Sequence, residues 1–393
     1  MTSDLDSLSQ QTFDEVAGTA ASQGLTAATE QLAAHFRSSE HYHELFDVRL
    51  LQARLELGLP AILTKGLDDL DEPLRTRMED RYIEACREVG HLLLKDGRVR
   101  EAWMYLRPVG DRAAVAAALE KISPQDDNAE QIIEVALYEG VNPRLGFELV
   151  LQRFGLCNAI TTYDAQMHQR PKSDRQEVAG LLVRQLHGDL LRSLQEHLTK
   201  RQGKRPQETT IGGLVADRDW LFDDNEYHID TSHLAAVVRF ALVLDDPQML
   251  RLAADLTEYG RRLSSLFQYA GQEPFADTYP THALFFRALL GEQVDEAVDY
   301  FRGRAQELAN GEQGAWPAEV YVALLARLGR VEEAFEAAAQ YLSGARTTGF
   351  APTLLELAQR AQRYDRLLEI SRERGDLLGF AMGLAEQQRL SNG

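Results

Sequence analysis

Apolar residues recur along this chain at intervals of three and four nearly throughout, the period of an amphipathic α-helix. Leu25, Ala28, Leu32 and Phe36 keep one helical face, and Ile132, Val135 and Ala136, continuing to Tyr138, keep another. Leu181, Leu182, Gln185, Leu186, Leu190 and Leu194 extend a third stripe of the same type. Strand-like alternation is scarce. The pattern leaves room for one extended stretch, residues 211–222, which follows Thr209-Thr210 and surrounds Gly212-Gly213. The expectation is an all-α protein of antiparallel helix pairs, stacked as an α-solenoid or superhelix, with one irregular loop segment near 199–231.

A local pattern punctuates these helices. Gly97-Arg98-Val99-Arg100-Glu101-Ala102 reappears as Gly329-Arg330-Val331-Glu332-Glu333-Ala334, and with one inserted residue as Gly291-Glu292-Gln293-Val294-Asp295-Glu296-Ala297. Each copy lies between two apolar helical segments. Glycine closes the first helix because it tolerates positive φ. The aliphatic residue plugs the gap between the helices, acidic residues favour the start of the second through its dipole, and alanine allows close backbone approach. In these residues the chain resembles tetratricopeptide and related helix-turn-helix repeats, with the best copy at 320–342 and the resemblance covering about a third of the chain. A degenerate copy follows through Leu354, Leu357, Ala358, Tyr364, Leu367, Leu368 and Ile370. The resemblance implies a curved array of helix pairs whose concave groove binds a peptide or a protein.

Two breaks interrupt the helical pattern. Residues 199–210 are polar, basic and non-periodic, and 211–230 are acidic and aromatic, carrying Trp220, Phe222 and Tyr227. The second break is a turn-rich link at 271–280. The expected organisation is an N-terminal helical-repeat region at 1–198, an irregular insert at 199–231 and a C-terminal helical-repeat region at 232–393, the two regions also fitting one continuous superhelix.

Composition narrows the partners. The 393 residues hold 61 acids and 42 bases, a net charge of −19. That balance argues against a general nucleic-acid binder and against docking on an anionic membrane. An acidic groove prefers a neutral or basic partner. Two cysteines, Cys86 and Cys157, build no disulfide framework. Residues 1–6 show no basic start or apolar signal core, and no stretch reaches the ~18–20 apolar residues of a membrane span. The expected location is the cytoplasm.

Candidate chemistry gathers at helix starts. In Tyr227-His228-Ile229-Asp230-Thr231-Ser232-His233, a cap at Asp230, Thr231 or Ser232 places His233 in the first turn of a helix and His228 in the loop before it. In Asp277-Thr278-Tyr279-Pro280-Thr281-His282, proline at the first helical position places His282 in a first turn as well. If the two helices are equivalent members of successive pairs, the histidines share one rim. His228, His233 and His282 would then be ligands for a divalent transition metal, with Asp230 and Tyr279 joining them as catalytic candidates. Against this, His-x4-His is not a same-face spacing, and the chain has no His-Glu-x-x-His, Cys-x-x-Cys or phosphate-binding glycine loop. The ligand-groove candidates are Asn158, Thr161 and Tyr163, after Gly155, together with Trp220 and Tyr227. Cys157 is a candidate nucleophile if His168 or His187 stands beside it. The expected function is peptide or protein binding in a concave groove. The alternative is a metal- or histidine-dependent hydrolase or lyase built on the three histidines.

Overall fold

A computed structural model describes residues 10–62, 69–126, 128–308, 314–342 and 344–391. The first six residues, read above for a leader, lie outside the described residues. The described chain is all-α and contains no strand. None of its helices is long and apolar enough to cross a membrane. It divides into two compact units, residues 1–153 and 154–393.

The first unit contains α1 (Gln10–Gln23), α2 (Leu25–Ser38), α3 (Tyr42–Glu56), α4 (Glu72–Lys95), α5 (Val99–Val109), α6 (Arg112–Leu119) and α7 (Ala129–Ile133), which runs into a π-turn at Glu134–Tyr138. Consecutive helices pack on one another, α1 on α2, α2 on α3, α3 on α4 and α4 on α5. The α4–α5 joint shows why. Gly97 takes φ 75°, and the Arg98 N–H returns to the Leu93 carbonyl at 2.9 Å. Val99 and Ala102 are then fully buried in the corner. A Cβ on Gly90 would strike the Leu106 side chain, so glycine there permits the close approach of α4 and α5.

Helix α8 (Pro143–Gln166) carries the chain from the first unit into the second, and is broken at Gly155 (φ 77°, ψ 177°). The second unit continues with α9 (Lys172–Gln202), α10 (Ile211–Val215), a 3-10 segment (Asp219–Asn225), α11 (Thr231–Phe240), α12 (Pro247–Gly260), α13 (Thr278–Leu289), α14 (Val294–Leu308), α15 (Trp316–Arg327), α16 (Val331–Tyr341), α17 (Leu354–Ala361), α18 (Tyr364–Arg374) and α19 (Leu377–Ser391). Here too neighbours in sequence pair in space, as in α12 with α13, α14 with α15, α15 with α16 and α18 with α19.

The extended stretch expected at 211–222 is instead two short helical pieces. Ile211, Leu214 and Val215 stand at i, i+3 and i+4 and are all buried, a helical spacing that the glycine pair had masked. Thr210 caps α10 through the Gly213 N–H, and Asp255 on α12 accepts the N–H groups of Ile211 and Gly212, each at 2.8 Å. His187 on α9 reaches the same carboxylate at 2.8 Å. The polar segment from 199 begins inside α9, and the whole of 199–231 belongs to the second unit.

Candidate functional site

The local geometry around His228 follows its sequence closely. Asp230 caps α11 by accepting the Ser232 and His233 N–H groups, and those bonds, with the Ser232 hydroxyl first, hold its carboxyl below the usual range. His233 lies half-buried in the first turn. His228, in the loop before the cap, turns away from α11 toward α9 and α12. Its partners are His197 and Tyr259, which the sequence did not mark.

Hydrogen bonds join this trio. Fully buried Tyr259 accepts the His228 backbone N–H at 2.7 Å and lies 3.1 Å from His228 Nδ1. The phenol oxygen can accept from Nδ1–H or donate to Nδ1, according to the histidine tautomer. His228 Nε2 and His197 Nδ1 share one hydrogen bond at 2.8 Å. Burial first, and His197 second, push the His228 pKa down to about 4. Trp220 stands edge-on to His197 with ring centres 5.6 Å apart, and the Arg201 guanidinium lies 4.3 Å over the indole. Exposed Tyr227 packs its edge on Phe267.

The other expected residues go elsewhere. Helix α13 begins at Thr278, two residues before Pro280, so His282 falls in the second turn rather than the first. There it is buried and stacked on Phe275 at 4.2 Å, with Nδ1–H donating to the Thr278 carbonyl at 2.6 Å and Nε2 unpartnered. Burial pushes its pKa to about 4. Tyr279 is buried as well, its ring against the backbone of Gly260, where a Cβ would overlap it. Among the described residues no three His, Cys, Asp or Glu side chains gather to hold a metal. The metal site drawn from His228, His233 and His282 is therefore not assembled: the first pairs with His197, and the last is sealed in the core.

Asn158 and Thr161 bond back to carbonyls of their own helix, those of Phe154 and Cys157, and Tyr163 stacks on Phe240 in the core. Trp220 and Tyr227 pack on other neighbours, His197 and Phe267. Cys157 is exposed, but the two histidines considered for it serve carboxylates, His187 with Asp255 and His168 with Asp164.

The first unit holds a site that the reading of the sequence did not mark. Helices α2, α3 and α4 enclose a cleft of about 290 Å³ lined by Glu30, Arg49, Gln52, Glu56, Arg81, Glu84 and Glu88, with Thr26, Thr29, Ala53, Leu55 and Ala85 completing the wall. Arg49 forms its floor. It donates to Glu88 Oε2, Glu30 Oε2 and Gln52 Oε1 at 2.7 to 2.9 Å, while Arg37 also pairs with Glu88. Arg81 bridges Glu56 at 2.9 Å and Glu84 at 3.0 Å. Glu88 is thus occupied on both oxygens. Glu30, Glu56 and Glu84 are half or more exposed and use only Oε2 in these ion pairs, so each keeps Oε1 for another donor. Four carboxylates against two guanidiniums leave the lining two charges negative. The signal that would have found it is a repeated polar stripe. Arg49-x2-Gln52-x3-Glu56 on α3 and Arg81-x2-Glu84-x3-Glu88 on α4 place arginine, amide or acid, then acid on matching turns.

No protein-family model, curated protein or solved structure matches the chain.

Proposed function

We propose that the chain is a helical-repeat interaction protein that takes a lysine- or arginine-bearing segment of a partner protein into the cleft of its first unit. One observation carries this reading: three half-exposed glutamates, each with an oxygen left over, ring a concave site whose floor is already neutralised by Arg49. A guanidinium or ammonium entering the cleft gains charge-assisted hydrogen bonds without stripping carboxylates from the floor. The glycine-closed hairpins at Gly97, Gly291 and Gly329, all with positive φ, support the tetratricopeptide-like character of the array and with it a peptide-binding role.

The test is fluorescence anisotropy with labelled decapeptides that differ only in carrying two arginines, two glutamates or neither. The arginine peptide binds, and Glu56→Gln combined with Glu84→Gln weakens it at least about tenfold, worth ~1.4 kcal/mol. Equal affinity for all three peptides, or an unchanged affinity in the double variant, would overturn the reading.

A further inference from the structure

The second unit carries a surface of opposite sign. Helix α9 ends at Gly203, which takes φ 72° and donates its N–H to the Thr199 carbonyl. The chain then doubles back, and Arg205 donates to Gln195 Oε1 at 3.3 Å. This return closes a groove of about 410 Å³ between Arg205 and a stripe of α9 made of Arg192, Gln195, Glu196, Thr199 and Lys200. Three cations against one carboxylate make its lining two charges positive, on a chain whose net charge is −19. Lys200, Arg201, Lys204 and Arg205 form no ion pair among the described residues, and Arg192 has a single contact, with Asp189 at 3.3 Å.

Ordinary helix chemistry explains part of this. Cations in a last turn complement the helix dipole, and Arg201 is held by Trp220. Neither reason covers Arg192, which lies ten residues before the end of α9, or Arg205, which lies beyond it. Both line one concavity, with Arg205 held at Gln195, one turn from Arg192, and the unpaired Lys200 further along α9.

We propose that this groove is a second recognition surface, independent of the cleft, and that it takes an extended acidic segment of a partner protein. Spacing sharpens the statement. Arg192 and Lys200 are eight residues apart on one helix, ~12 Å along its axis. An extended peptide covers that distance in about four residues at ~3.3 Å each. The fitting ligand therefore carries carboxylates about four residues apart, one for Arg192 with Arg205, which is held at Gln195 one turn away, and one for Lys200. Gln195 and Thr199, between them on the stripe, suit the intervening backbone, and Glu196 disfavours a third acid at the centre.

The test uses the full chain and fluorescein-labelled decapeptides with two glutamates either adjacent or four residues apart, at low and physiological salt. The spaced peptide is expected to bind at least about fivefold tighter than the adjacent one, and to weaken as salt rises. Lys200→Glu combined with Arg205→Glu, both exposed positions, should abolish binding while leaving the melting temperature unchanged. Lys200→Ala should weaken it and erase the preference for spacing, and Arg192→Ala should weaken it. Binding that survives the charge reversals, no preference between the peptides, or no binding at all would overturn the proposal. So would tighter binding of a single-stranded oligonucleotide, which would make the groove a polyanion site. Sedimentation showing dimers that the reversals dissolve would also overturn it, giving the groove to the acidic 217–226 segment of a second copy. Glu56→Gln with Glu84→Gln should leave the spaced-peptide affinity intact, so failure here is distinct from failure of the cleft.

Discussion

The cleft of the first unit and the groove of the second are built from the same materials, and they use charge in opposite ways. In the cleft the arginines are paired: Arg49 and Arg81 each bind two carboxylates, and Glu30, Glu56 and Glu84 keep an oxygen for a further donor. In the groove Lys200 and Arg205 are exposed and unpaired by any carboxylate among the described residues. The lesson is one of range. Exposed charges act over ~8 Å at physiological salt, so a net charge of −19 does not set the sign of a site that local residues define. Total charge argues against whole classes of partner, and individual grooves choose among those that remain.

The strongest way to break the comparison is to remove the support of the second unit. Asp255→Ala leaves the Ile211 and Gly212 amides and His187 without their shared acceptor. A loss of ~3 kcal/mol is expected, with a melting temperature lower by about 6–10 °C and faster proteolysis between 203 and 230. Unchanged melting would contradict the role given to this carboxylate.

Acid should separate the units next. The folded pKa values of His228 and His282 lie near 4, below the unfolded value of ~6.5. Neutral imidazole is thus favoured by folding, so this contribution is fully present above pH ~6.5 and is lost as pH falls toward 4. For fully buried His282 the loss approaches ~3 kcal/mol. Denaturant melts at pH 7.0 and 5.0 should show the second unit weakening, and His282→Leu should flatten that dependence. An equally steep slope in the variant would refute the assignment.

Smaller effects distinguish the two charged sites. Arg49→Ala should cost ~1–2 kcal/mol in urea unfolding, because Glu30, Gln52 and Glu88 lose a common donor. Arg205→Ala should change stability by less than ~0.5 kcal/mol, since it removes an exposed cation without an ion pair. Similar costs for the two would erase the distinction between paired and unpaired cations.

Much of the frame was readable from periodicity and punctuation. The glycine at 97 followed by Val99 and Ala102 announces a helical corner, and the Asp230-Thr231-Ser232 run announces the start of α11; the structure has both, with Asp230 as the cap. The failures have physical causes. The glycine pair at 212–213 hid the helical spacing of Ile211, Leu214 and Val215, because the bonds that fix this turn come from Asp255, more than 40 residues away. Proline's preference for the first helical position points to a rim place for His282, whereas Asp277 precedes a helix that starts at Thr278. The partners of His228 come from α9 and α12, distances along the chain that local spacing does not encode. The cleft was legible in principle, since its two polar stripes share one spacing, but charged stripes read as ordinary solvated faces until a third helix closes over them.

The most direct test of the central claim is hydrogen exchange of the full chain with and without a saturating arginine-bearing decapeptide. The account predicts slowed exchange confined to the peptide amides around 26–30, 49–56 and 81–88 on α2, α3 and α4. Protection elsewhere in the chain, or none under conditions where the peptide is shown to be bound, would contradict it.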